Sequence, residues 1–281
     1  MSQSEDPVFP PELEQEIFRF TAELHPSFIP TLLLVARRVL IWIEPCLYDV
    51  LRVTSTDIHQ LALKRIVTKP VEFIHKAVRH LALEAPELDI GYTRDELLKL
   101  FKGVIDFAPG SFLSDDALGP DVLPLLAGMR LQRLSMNLMD LFPVAVDFSL
   151  PMFTHLTHLD VCDSTAVYLE KVMTCIPILP ALTHLCLVNA ARRDTALAML
   201  EKCPRLRLLL ILWGTFEEDK YQLERRPHRY DVRFVIGEYK NYWSDWEQSA
   251  KGHPECMWLR GQDFIERKRR GEIEATRYWL S

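Results

Sequence analysis

An α/β solenoid, with parallel strands inside and helices outside, is the fold class that the sequence predicts, and three observations predict it. The first is a recurring phrase of the form apolar-x-x-apolar-x-apolar. It reads LTHLCLV at Leu182–Val188 and LTHLDVC at Leu156–Cys162, with looser copies at Leu131–Asn137, Leu206–Leu212 and Val78–Glu84. The second is its spacing. The central residues Leu81, Leu134, Leu159, Leu185 and Leu209 stand 53, 25, 26 and 24 residues apart, so the first gap spans two periods. Phe107 fills that gap, 26 residues after Leu81, and Phe234 continues the series 25 residues after Leu209. The third is the helix-like character of the segments between phrases. In a strand, alternate side chains face opposite ways, so the second and third apolar positions share a face. A unit of this size cannot bury that face by itself and must stack on its neighbours.

Period and phrase together are the signature of a leucine-rich repeat array. Cys203-Pro204-Arg205-Leu206-Arg207-Leu208-Leu209, with Asn189 after Leu187 and Cys162 after Val161, is similar to the irregular, cysteine-containing class of such repeats. The resemblance carries the expectation of an intracellular protein.

Taken in order, residues 1–7 read as a loose polar tail. Residues 8–50 read as three short helices. Pro11 suits a first helical turn, where its missing N–H costs nothing. Leu13, Ile17, Phe20 and Leu24 recur at helical spacing, and Glu12, Glu14 and Glu16 sit near the positive helix end. Pro26 and Pro30 mark a turn before a second helix over 31–38, and Pro45 breaks a third over 39–48. Residues 51–237 form the array. An irregular strand is expected near Val53, followed by a short helix. Thr93, with Glu96 three residues on, predicts a capping box. Ser164 and Asp194 are candidate caps for helices over 165–175 and 194–203, ended by Pro177 and Pro204. Residues 108–122 and 138–153 read as polar or Pro-rich connections on the convex side. From 238 to 281 comes an aromatic and charged tail. There Tyr239, Tyr242, Trp243 and Trp246 are expected to close the open edge of the last repeat, ahead of a charged helix over 263–271.

The N-terminal residues resemble an F-box. The match runs through Pro11-Glu12-Leu13, Ile17 and Phe18, then Leu33-Leu34-Val35-Ala36-Arg37-Arg38, then Trp42 and Pro45-Cys46-Leu47-Tyr48. Phe9 or Pro10 stands where the pattern opens on Leu, and Trp42 falls three residues late, with Val39 at the usual Trp place. The whole chain resembles the F-box-like proteins with degenerate leucine-rich repeats that abound in mushroom-forming fungi. That resemblance implies a substrate-recognition subunit of a cullin-RING ubiquitin ligase. Pro11, Leu13, Ile17, Leu33, Leu34 and Trp42 would dock a Skp-type adaptor joined to a cullin complex, and the repeats would hold a protein substrate. A repeat scaffold without ligase association is the alternative, its three helices then serving as the cap that an open stack requires.

Composition narrows the classes. Hydrophobic residues make up 48% and charged residues 26%, which is globular, and the formal charge of −6 gives no general attraction to nucleic acid or acidic membrane. Six unpaired-looking Cys and a polar start, MSQSEDP, lead us to expect reduced thiols in the cytoplasm or nucleus. No apolar run suits a membrane span. The basic run Arg267–Arg270 is a weak signal for a nuclear-localisation or nucleic-acid patch, because Glu266, Glu272 and Glu274 flank it. No phosphate loop, Cys-x-x-Cys pair or His-Glu-x-x-His helix is present, so neither catalysis nor a metal or cofactor is expected.

The residue just before each central apolar position faces away from the core. That column reads His80, Asp106, Arg133, His158, His184 and Leu208. The column two residues further on reads Ala82, Ala108, Ser135, Asp160, Cys186 and Leu210. Stacking would set both on the concave face, where solenoids bind partners. Asp106, Arg133, His158, Asp160 and His184 are therefore the expected substrate row, exposed and titrating near neutral pH.

Overall fold

The structure is a computed structural model that describes residues 9–54, 56–84, 91–110, 120–163, 166–188, 199–213 and 231–280. The expected tail, the caps Ser164 and Asp194, Asn189, and residues 111–119 of the first convex connection lie outside these residues.

Eight strands form one sheet in sequence order, each parallel to the next. They are β1 (Val50–Val53), β2 (His80–Leu83), β3 (Asp106–Pro109), β4 (Arg133–Met136), β5 (His158–Val161), β6 (His184–Val188), β7 (Leu208–Trp213) and β8 (Phe234–Glu238). The register joins Leu51, Leu81, Phe107, Leu134, Leu159, Leu185, Leu209 and Phe234 in a single row across the sheet. The expected period is thus the period of the strands from β2 to β8, while β1 stands 30 residues before β2. Every member of that row is buried. Burying such a side chain fully stabilises by about 1.5–3 kcal/mol, which is why the apolar positions of the phrase admit little variation.

The row faces the inter-strand helices α4 (Asp57–Ile66), α5 (Val71–Ala77), α6 (Arg94–Leu100), α7 (Leu123–Ala127), α8 (Leu138–Leu141) and α9 (Ala166–Cys175). Leu63, Ile74, Leu97, Leu126, Leu138 and Leu169 from these helices share its core. Thr93 accepts from the Glu96 backbone N–H while Glu96 reaches back to the Thr93 N–H, the expected capping box. Asp163 caps α8 from the neighbouring unit, accepting from the backbone N–H groups of Leu138 and Met139 at 2.9 Å each. The 138–153 connection is more than a surface link. Leu138, Leu141, Phe142, Phe148, Met152 and Phe153 are all buried, and Phe148 meets Phe153 edge-on at 5.0 Å.

The N-terminal module is α1 (Pro11–Leu24), α2 (Ile29–Leu32) and α3 (Arg37–Ile43). The second helix is shorter than expected and the third begins earlier. The reason lies at Ala36, whose extended backbone (φ −161°, ψ 157°) separates the two. The module has its own small core of Ala22, Ile29, Val39 and Ile43. It joins the array through Glu44, which pairs with Lys69 at 2.6 Å, and through Tyr48 edge-on to Phe73 at 6.1 Å.

The tail departs most from expectation. Helices α10 (Tyr242–Ala250) and α11 (Met257–Arg269) lie across the sheet face opposite the inter-strand helices. They do not cap its end. From α10, Glu247 meets Arg52 of β1 at 3.4 Å, and from α11, Gly261 lies against Leu208 of β7. The physical reason is on the sheet itself. Cys186, Val188, Leu208, Leu210, Leu212 and Val235 make that face apolar over β6–β8, and Met257, Trp258, Phe264 and Ile265 cover them. On β2 and β3, Ala82 and Ala108 leave room for the Trp246 ring. The open edge of β8 is closed instead by the last residues. Ile236 donates to the Tyr278 carbonyl and Leu280 donates to that of Ile236, both at 2.8 Å. The charged helix expected over 263–271 is the second half of α11, where Arg267 pairs with Asp263 and Arg270 with Glu266.

Candidate functional site

Two surfaces bear on function, and the expected residues divide between them. The first is the N-terminal module. A helix repeats every 3.6 residues, so Leu13, Ile17, Phe20 and Leu24 form one stripe along α1. Phe18 and Ala22, on its other side, enter the module core. The stripe lies in solvent, with Leu13 54% and Ile17 50% exposed. Pro11 is exposed at the first helical position, and Leu34, in the turn between α2 and α3, is 85% exposed. Leu33 and Trp42 behave otherwise. Both are half-buried against the module core, with the Trp42 ring 6.5 Å from Phe18, so they show less apolar surface than the stripe does. Phe20, Leu24, Phe28, Val35 and Ile41 are exposed as well. Their spacing made Phe20 and Leu24 legible as members of the stripe, whereas Phe28, Val35 and Ile41 carry no such signal. Arg38 braces the module with a two-pronged pair to Glu14 at 2.7 and 2.8 Å.

The second surface is the expected substrate row. The strands assemble it in register: His80 beside Asp106, then Arg133, His158, His184 and Leu208. It is not exposed. Asp106 keeps 2% of its surface and His184 4%, because α10 and α11 lie on them. Asp106 bonds His80 Nδ1 at 3.0 Å and accepts from Trp246 Nε1 at 3.3 Å. Arg133 donates to the Ser249 carbonyl and hydroxyl at 3.1 and 3.0 Å. Asp160 accepts from the Ser135 hydroxyl at 2.6 Å and from the Tyr242 hydroxyl at 2.9 Å. His158 and His184 stack at 4.1 Å, with Trp258 edge-on to both, and Gln262 meets His184 Nε2 at 2.5 Å.

Burial also overturns the expected titration of the two histidines and leaves only Asp160 near neutrality. It pushes the His158 imidazole down to about 2 and His184 down to about 4, with the neighbouring His184 and Arg133 charges adding to the effect on His158. Both rings are therefore neutral at neutral pH. Burial raises the Asp160 carboxyl to about 7, against the hydrogen bonds that favour its charge. Asp106, Arg133, His158, Asp160 and His184 are thus the polar seam between sheet and tail. They do not form a solvent-facing contact row. The sequence did carry a sign of this. Leu208–Trp213 is an unbroken apolar run, and a strand apolar on both faces needs a cover on both.

No protein-family model matches the chain, and no curated protein matches it in sequence. The site must therefore be read from its own geometry. Among the described residues no group of three His, Cys, Asp or Glu is placed to hold a metal, and no helix is long and apolar enough to cross a membrane. The chemistry on offer is apolar contact on the module and charge along the strand edges.

Proposed function

We propose that this chain is the substrate-recognition subunit of a cullin-RING ubiquitin ligase, with an F-box-like module that docks a Skp-type adaptor and leucine-rich repeats that present the substrate. The observation that carries the reading is the stripe of Leu13, Ile17, Phe20 and Leu24, exposed on a helix whose opposite side is satisfied by the module core. Large apolar side chains clustered in water mark a protein contact. The module sits on one end of the array, so an adaptor there leaves the remaining units free.

A non-catalytic binding scaffold without ligase association is the second reading. The partial burial of Leu33 and Trp42, two residues that the F-box resemblance assigns to the adaptor, favours it.

The test is co-purification with a Skp-type adaptor. Replacing Leu13 and Ile17 with Asp is expected to abolish the complex, since charge on the stripe would be buried unpaired. Both positions are half exposed, so the thermal midpoint should move little. Undiminished binding by this variant would remove the F-box reading.

A further inference from the structure

We propose that the helix-to-strand junctions before β6 and β7 form a docking site for an acidic protein segment, one aliphatic side chain of which enters the cleft between them. The cleft holds about 130 Å³ and is lined by Ile176, Leu179, Leu182 and Leu206, with Lys202 and Arg205 at its mouth. A cavity of about 150 Å³ takes a benzene ring, so this one suits a leucine-sized group. Its frame is rigid. Arg205 spans it to the Leu179 carbonyl at 3.4 Å. Beneath, Arg233, held by Asp231 at 2.6 Å, donates to the carbonyls of Leu200 and Leu206 at 3.0 and 3.2 Å. Ile178, 63% exposed, adds apolar surface close by in the chain.

Among the described residues the charge is one-sided. Lys202, Arg205 and Arg207 are exposed and pair with no carboxylate among the described residues, while Glu201 beside them is already engaged. The equivalent junctions of earlier units carry Lys102, Arg130 and His155, also exposed. From β3 to β7 is four strand spacings, about 19 Å, the reach of about six extended residues. On a chain of net charge −6, this edge is a local basic strip. Among the described residues no aromatic side chain lines the cleft, and base stacking on aromatics is what single-stranded nucleic acid needs. A protein segment is therefore the occupant favoured over RNA. That the segment belongs to a ligase substrate rests on the proposed function; that it binds does not.

The experiment uses the full chain without adaptor and a fluorescein-labelled decapeptide of Glu and Asp with one central photo-leucine, read by fluorescence polarisation. Binding is expected to fall at least tenfold with Lys202→Glu/Arg205→Glu, and similarly when Ala replaces the photo-leucine. It should weaken as salt rises, and irradiation should crosslink the peptide within 176–182 or 202–206. Unchanged thermal midpoints keep the charge-reversed variant interpretable. No detectable binding, equal binding of a Lys-rich decapeptide, crosslinks elsewhere, or tighter binding of a single-stranded oligouridylate would each overturn the proposal. Loss of adaptor binding in the preceding test would leave it standing.

Discussion

His158 and His184 stack ring on ring beneath the edge of Trp258, each with Nδ1 against the hydroxyl of the preceding Thr. The two copies of Thr-His in the repeated phrase thus make a seam between layers rather than a surface for partners. Replacing both His with Ala should lower unfolding stability by about 1–3 kcal/mol, because packing contacts and three hydrogen bonds, two to Thr hydroxyls and one to Gln262, are lost. Chemical denaturation measures it; an unchanged midpoint would mean the rings are exposed. Asp160 gives a sharper, pH-resolved check. Its folded pKa, about 7, lies above the ordinary 3.8, so the folded state holds a proton that the unfolded state has released. Its contribution to stability is whole below about pH 4 and is lost as pH rises toward 7, with a slope of at most about 1.4 kcal/mol per pH unit for one proton. Asp160→Asn keeps an acceptor for Ser135 and Tyr242 but cannot ionise. The variant should therefore gain stability relative to the parent between pH 4 and 7 and hold level above. The two histidines titrate in both proteins and cancel in the difference. A difference independent of pH would contradict the burial of this carboxyl.

At the scale of elements, α11 approaches the sheet closely at one residue. A side chain built on Gly261 would bring its Cβ within 2.8 Å of Leu208 Cδ2, at the middle of the helix where α11 crosses β7. Gly261→Leu should cost about 1–3 kcal/mol by overpacking, although a glycine replaced in a free helix would gain. A stabilised variant would mean that α11 does not rest on β7. The same close packing explains what the sequence disclosed and what it withheld. The strands were legible because each phrase repeats within a residue or two of the same interval and its central residue sits in one row. The capping box at Thr93 was legible because it is local. The course of α10 and α11 was not, since Trp246 reaches Asp106 across 140 positions of sequence, and no short-range pattern encodes such a contact. The apolar members of the outward columns, Leu208 and Leu210, did point to a cover over β7, but the polar ones, His158 and Asp160, masked that signal over β5.

At the scale of the molecule, the sheet is closed on both faces, by inter-strand helices on one side and by the tail on the other. Partner contacts are thereby directed to what stays exposed: the apolar stripe of the module at one end and the basic strip along the strand entries. Under the proposed function, this division would hold adaptor and cargo apart. The candidate site was half legible in the sequence. Leu13 and Ile17 could be placed on an exposed stripe from their spacing, whereas the partial burial of Leu33 and Trp42 depends on how α1 and α3 pack against each other. Hydrogen exchange of the full chain with and without a Skp-type adaptor tests the central claim most directly. New protection is expected only at amides within residues 11–43, with the strands and α10 unchanged. Protection on the strands or the tail without any on the module, or no complex at all, would contradict it.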